Sequence, residues 1–183
     1  RNWWFGLETI ASVSGRGVFQ TWDGQLVSFR PVTAPVIYSA RSWLQVRTPG
    51  PLPLTTRRND TRLPPGRNPR TLALATRMRA QAADDPAFVS SVLDHFRTGN
   101  FQYTLAPPLL EGEMVDALLF GTRQGFCGHF ASAFATMMRA GGVPARVVTG
   151  YLGGEWNEFG DYLLVRQSDA HAWAEVWLEG QGW

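Results

Sequence analysis

Two periods of apolar residues divide the chain. Within residues 3 to 48, Val36 and Tyr38, and then Leu44 and Val46, alternate with polar neighbours, which predicts short strands. Trp22-Asp23-Gly24-Gln25 has the chemistry of a hairpin turn between two of them. After Pro69 the period lengthens. Asn68-Pro69 reads as a cap followed by proline at the first helical position, and Thr71 to Ala82 is filled with helix formers. Asp85-Pro86 repeats that signal and opens a second helix. It places Phe88, Val89, Val92, Leu93 and Phe96 on one face and closes at Gly99-Asn100. Phe101 to Thr104 is a strand candidate, Pro107 and Pro108 begin a loop, and Met114 to Phe120 predicts a short helix. A further helix runs from Phe130 to Ala140 and is ended by Gly141-Gly142 and Pro144. Ser168 to Leu178 alternates as a strand buried on both faces. Strands, helices and strands again predict an α+β chain.

Between the two regions, residues 49 to 69 hold six of the twelve prolines, which predicts an irregular connection rather than a strand or helix. The expected organisation is therefore a β-rich segment (1–48), a proline- and arginine-rich linker (49–69) and a larger core (70–183). Arg57, Arg58, Arg62, Arg67 and Arg70 fall in or beside that linker and read as solvated charge.

Composition narrows the class without changing this outline. Hydrophobic residues make up 44% of the 183, charged residues 17% and aromatic residues 13%, as in a globular chain and unlike a disordered one. The formal charge of +2 is too small, and the arginines too scattered, to form a nucleic-acid footprint. A single cysteine excludes an internal disulfide. No apolar run approaches the roughly 18 residues of a membrane helix, and Arg1-Asn2-Trp3-Trp4 does not read as a signal peptide. The abrupt ends are those expected of a fragment.

That cysteine, Cys127, lies in Gly125-Phe126-Cys127-Gly128-His129, directly before the Phe130–Ala140 helix. The apolar positions Phe130, Ala131, Phe134, Ala135 and Met138 continue back through it at spacings of three and four. A lone cysteine is ordinarily an inert buried thiol. A nucleophilic one must be a thiolate, whereas a free thiol titrates near about 8.5. Helix-end stabilisation of about 0.3–1 kcal/mol is worth less than one pKa unit, so a neighbouring imidazolium is required as well.

Three histidines compete for that role. His171 heads the strand His171-Ala172-Trp173-Ala174-Glu175-Val176-Trp177. One face of that strand would carry His171, Trp173, Glu175 and Trp177, against which the cysteine helix could pack. His129 lies two residues along the helix from Cys127 and points away from the sulfur. His95 flanks the apolar stripe of its own helix and reads as structural. A zinc site from Cys127, His129, His171 and His95 lacks the paired spacings of such sites, and no calcium loop is visible, so no metal or cofactor is expected.

Three blocks together resemble a known family: Gly125-Phe126-Cys127-Gly128-His129-Phe130-Ala131, the strand Gly142 to Tyr151, and Asp169 to Trp177. They are similar to bacterial transglutaminase-like proteins of the TgpA type, in the papain-like group. Gly153-Gly154-Glu155-Trp156-Asn157 and Tyr162 to Gln167 fit in order and spacing. The resemblance covers residues 70 to 183 well and the β-rich segment more weakly. It implies a nucleophile helix packed on an antiparallel sheet, with Cys127 as nucleophile and His171 as base. An aspartate completing the triad would lie a few residues beyond Gly182-Trp183; neither Asp169 nor Glu175 occupies its position.

The implied reaction is transfer of a glutamine acyl group to a lysine-like amine through a cysteine thioester. The Cys127 backbone N–H is the first oxyanion donor, and Trp156, Trp173 and Trp177 are candidate substrate-site lining. Hydrolysis of the same acyl-enzyme by an amidase or peptidase, and an inactive binding scaffold, are the alternatives. The resemblance also implies a membrane-anchored protein with this domain on the periplasmic face of the inner membrane. Its partners would be a glutamine-containing donor and an amine acceptor.

Overall fold

The computed structural model describes residues 2–7, 9–15, 17–21, 24–43 and 50–183, which form two compact units, Arg1–Thr48 and Pro49–Trp183. Within the first, β1 (Trp3–Trp4), β3 (Val18–Gln20) and β4 (Leu26–Ser28) form an antiparallel sheet in the order β1-β4-β3. β2 (Thr9–Ser14) pairs with β5 (Ser39–Trp43), with a register irregularity between Ile10 and Ser12. Leu26 is the sealed centre of this small unit. The turn joining β3 to β4 closes through Thr21 and Gln25, whose backbone atoms bond at 2.8 Å; Trp22 and Asp23 lie outside the described residues. Leu44 and Val46 also lie outside them. Val36 and Tyr38 precede β5 rather than belonging to it. Tyr38 turns its ring onto Trp4 and its hydroxyl to the Phe5 carbonyl, so it acts as a side-chain clamp.

The second unit departs from the expected linker at once. Residues 54 to 60 form a helix, α1 (Leu54–Asp60), inside the proline-rich stretch. The prolines flank it instead of interrupting it, and Pro53 immediately precedes its first turn. Of the arginine cluster, Arg58, Arg62, Arg67 and Arg70 are exposed as expected, and three members also make surface contacts. Arg67 pairs with Glu113 at 2.9 Å, Arg70 stacks on Phe120, and Arg57 reaches Glu179.

Next come α2 (Pro69–Gln81) and α3 (Asp85–Thr98). Asp84 caps α3 by accepting from the Ala87 N–H. Asn68, however, does not cap α2. It sits in a left-handed conformation and gives its side-chain oxygen to the N–H groups of Val115 and Asp116, in α4 (Met114–Ala117). Asp116 returns the bond, its carboxylate accepting from the backbone of Arg70 and Thr71 and from the Thr71 hydroxyl. Each helix start is thus capped by a residue of the other.

After a turn of π-helix at Leu118–Thr122, the short parallel pair β6 (Gln102–Tyr103) and β7 (Gln124–Gly125) leads into α5 (Cys127–Ala140). Ala131, Ala133, Ala135, Met137 and Met138 are all buried, so α5 is enclosed around most of its girth and not along one stripe. Its turn at Gly141-Gly142, where Gly142 has φ 80°, reverses the chain into β8 (Ala145–Tyr151). β8 pairs antiparallel with β11 (Ala170–Val176) from Ala145↔Val176 to Tyr151↔Ala170. Between them lies a second hairpin, β9 (Glu155–Asn157) and β10 (Tyr162–Leu164).

Candidate active site

Cys127 is held by the backbone on both sides. Upstream, Arg123 takes a left-handed conformation and returns its N–H to Leu118, while the Gly125 carbonyl accepts from Thr104 at 2.8 Å. Phe126 is extended, and the helix begins at the cysteine itself. His129 folds back so that Nδ1 accepts from the Phe126 N–H at 3.4 Å, and its ring lies 4.0 Å from that of Phe126. Gly125 is required by this: a Cβ there would meet His129 at 2.9 Å. His129 therefore finishes the helix start.

The N–H groups of Cys127 and Gly128 make no hydrogen bond within the described residues. They are among the donors that a helix start leaves unpaired. Cys127 is partly exposed, which leaves it open to approach.

Chain geometry brings His171 to the same end of the layer. A 14-residue helix rises about 21 Å, and a seven-residue strand spans about 23 Å; α5 and β8 have these lengths. Because a tight turn at Gly141-Gly142 joins them, the end of β8 returns to the level at which α5 began. His171 is in register with Gly150 at that end. These lengths set Cys127 and His171 at a similar level of the layer, but no hydrogen bond joins them, and His171 lies on the strand row of Trp173 and Glu175, which alternates with the Ala174 and Val176 row that meets the core around α5.

The expected packing of the strand is corrected. It is Ala174 and Val176 that meet the core around α5, whereas Trp173 on the alternate row is 37% exposed. Small and branched side chains admit the helix closely, where a row of indoles would hold it off. Trp173 lays its ring over Gly150, the cross-strand partner of His171, at a distance that leaves little room for a Cβ. Its indole N–H donates to Glu175 at 3.3 Å, and Glu175 binds Arg146 at 2.7 Å. Arg146 in turn covers Trp183.

The three tryptophans expected to line a substrate site separate. Trp156 is on β9 and 56% exposed, and Trp173 is adjacent to His171. Trp177 is core. It is 5% exposed and packs edge-on against Trp183; its backbone N–H donates to the Pro144 carbonyl at the far end of the sheet, while its buried indole N–H has no hydrogen-bond partner. Asp169 caps the Arg166 N–H at 2.7 Å, and Glu175 is bound to Arg146, so both nearby carboxylates are engaged away from His171. His95 buries its Nε2 without a hydrogen-bond partner, against Phe96 and Phe101. Burial pushes its pKa down, with the Arg123 charge adding to the effect. Among the described residues no group of three or more His, Cys, Asp or Glu side chains could hold a metal ion.

The family model for the transglutaminase-like superfamily matches residues 72–183. The chain belongs to the transglutaminase-like superfamily. A protein-glutamine gamma-glutamyltransferase of Pseudomonas aeruginosa is 42% identical over 181 residues, which is 99% of this chain and 27% of that protein. The Bacillus subtilis protein YebA, itself uncharacterized, is 36% identical over 102 residues, 52% of this chain and 14% of its own length. The chain thus spans about a quarter or less of these relatives. The crystal structure of the periplasmic domain of TgpA from P. aeruginosa superimposes with a TM-score of 0.92 at 42% identity, covering 100% of this chain and 63% of that one. The same domain bound to ethylmercury gives the same score.

The mixed helix and sheet architecture of a transglutaminase-like core is thereby shown. Sequence reasoning missed the parts that immobilise Cys127: the π-turn, the left-handed Arg123 and the half-cap from His129. Gly125 was the available signal, since a glycine three or four residues before a ring invites close approach. Arg123 offered none.

Proposed function

We propose that this domain is a cysteine-dependent protein-glutamine γ-glutamyltransferase. The supporting observation is the edge at which Cys127 begins α5 with two unpaired backbone donors while β11 returns His171 to the same level. The relative's printed activity points the same way.

In this reading the Cys127 thiolate attacks the carboxamide carbon of a glutamine side chain, and the tetrahedral oxyanion is met by the N–H groups of Cys127 and Gly128. The carbon–nitrogen bond breaks as His171 gives its proton to the departing ammonia, leaving a thioester and a neutral imidazole. An incoming amine attacks the thioester, His171 takes up the amine's proton, and the thiolate leaves. The new amide and the ammonia balance the glutamine and the amine consumed. Asp169 and Glu175 have other partners, which supports reading the carboxylate that would fix the imidazole tautomer as one outside these residues, as the resemblance implies. The Cys–His contact would tighten on substrate binding, as catalytic hydrogen bonds commonly do. By the same likeness we place the domain in the periplasm, in a membrane-anchored protein.

The test incubates the domain, extended past Trp183, with a glutamine peptide and a labelled primary amine, beside Cys127→Ala. Cysteine-dependent incorporation of the amine is expected. Free acid as sole product would make the enzyme a hydrolase, and the absence of any thioester would leave only a binding scaffold.

A further inference from the structure

All seventeen cationic side chains among these 183 residues are arginine; there is no lysine. A guanidinium stays protonated at any working pH and cannot resolve a thioester, whereas an ε-amine can. No side chain of this stretch can serve as acyl acceptor, so the amine comes from outside these residues.

The β9–β10 hairpin is built to meet such an acceptor. It leaves the sheet immediately after Tyr151 and returns at Ala170, and the Leu152 N–H donating to the Asp169 carbonyl closes its base. It therefore projects from the His171 end of the layer. Its apolar side chains are turned outward: Phe159 is 104% exposed, Trp156 56% and Leu163 51%. Single exposed hydrophobes are ordinary, but several on one small hairpin mark a contact surface.

Trp156, Phe159 and Leu164, with Glu155, Asn157 and Glu158, line a hollow of about 280 Å³. Ligand pockets for drug-sized molecules run from about 300 to 1,000 Å³, so this one suits a single side chain.

Charge selects which side chain. Residues 153–165 contain Glu155, Glu158 and Asp161 and no cation, in a chain whose net charge is +2. Glu155 is neutralised by Arg166 at 2.5 Å, and Asn157 is occupied with Gly160 and Tyr162. Glu158 has neither an ion pair nor a hydrogen bond within the described residues.

Resting on the transferase reading, we propose that the hairpin hollow is the docking site for the acceptor: a lysine-bearing peptide that lies outside this domain. The aliphatic stem lies along Phe159 and Trp156, and an ammonium meets Glu158 and the indole face. Since the lysine that reacts must be deprotonated at Cys127, the docked cation is a basic residue flanking it or the lysine before transfer.

The experiment measures acceptor kinetics with one glutamine peptide as donor and two acceptors: acetyl-Ala-Lys-Lys-Ala-amide, and hydroxylamine, which is small and neutral. Glu158→Gln and Phe159→Ala are each expected to raise KM for the lysine peptide about tenfold while moving KM for hydroxylamine less than about twofold. Equal KM values for the peptide in the variants and the parent would overturn the docking site, as would equal changes for both acceptors. A parent enzyme that releases no ammonia from the glutamine peptide would instead sink the transferase reading, so the two failures are distinguishable.

Discussion

The two ends of the α5–β8–β11 layer are built to opposite standards. At one, Met137, Met138, Val143 and Ala145 are sealed, Arg139 donates to the Ala145 carbonyl at 2.8 Å, and the Trp177 backbone N–H donates to the Pro144 carbonyl. At the other, Cys127 and His171 are only partly covered, the first amides of the helix are unpaired, and an apolar hairpin stands in solvent. The closed end supplies packing energy and fixes the angle of helix to sheet. The open end leaves the first amides of α5 unpaired at the surface, where the proposed reaction would use them. On the proposed reading, stability and chemistry fall at different ends of the same three elements.

The comparison can be broken most forcefully at Cys127. Cys127→Ala should reduce acyl transfer by at least about a thousandfold while shifting unfolding free energy by less than about 1 kcal/mol, since alanine suits a first helical turn. Activity assays beside thermal melts would show it, and a large loss of stability would mean that the open end also carries structure. Met137→Ala at the closed end should do the reverse, costing about 2–5 kcal/mol in denaturant unfolding while the molecules that remain folded keep their kcat. A proportionate fall in kcat would show the two ends to be mechanically coupled.

A smaller effect is expected from Asp116→Ala, which removes the caps of Arg70 and Thr71 together. About 1–3 kcal/mol should be lost, and Asn68→Ala in the same background should cost less than it does alone, because the caps are reciprocal. Independent, additive losses would contradict that pairing.

The smallest effect concerns His95. Its folded pKa lies below the unfolded value of about 6.5, so the unfolded chain binds the proton more readily. Its contribution is therefore fully present above about pH 6.5 and is lost as pH falls through the lowered folded value. Unfolding midpoints measured from pH 7.5 to 5 should decline, and His95→Phe should flatten that part of the curve.

Legibility in the sequence followed locality. α3 and its Asp84–Ala87 bond, α5 with its cysteine at the first position, and β11 were all readable, because a 3.6- or 2-residue period and a neighbouring cap are set by residues close in the chain. α1 was not, since prolines in the surrounding stretch masked a seven-residue helix. The exchange of caps between Asn68 and Asp116 spans 48 residues and has no local signature. The strand period gave two faces to β11 but no means of telling which would receive α5. Trp177 looked like Trp156 in the sequence, yet one is core and the other stands in solvent.

By itself, then, the sequence determined that a thiol begins a helix, that a histidine heads a strand, that the family blocks fall in order, and that no lysine is present among these residues. These depend on identity and spacing alone. Only the tertiary structure decided that the helix and strand lengths bring the starts of α5 and β11 to a similar level, that the nearby carboxylates are spent on Arg146 and the Arg166 N–H, and that β9–β10 projects from that end. The physical reason is that side-chain occupancy and enclosure are properties of neighbours brought together by folding, and a chain's period specifies a face without specifying what covers it.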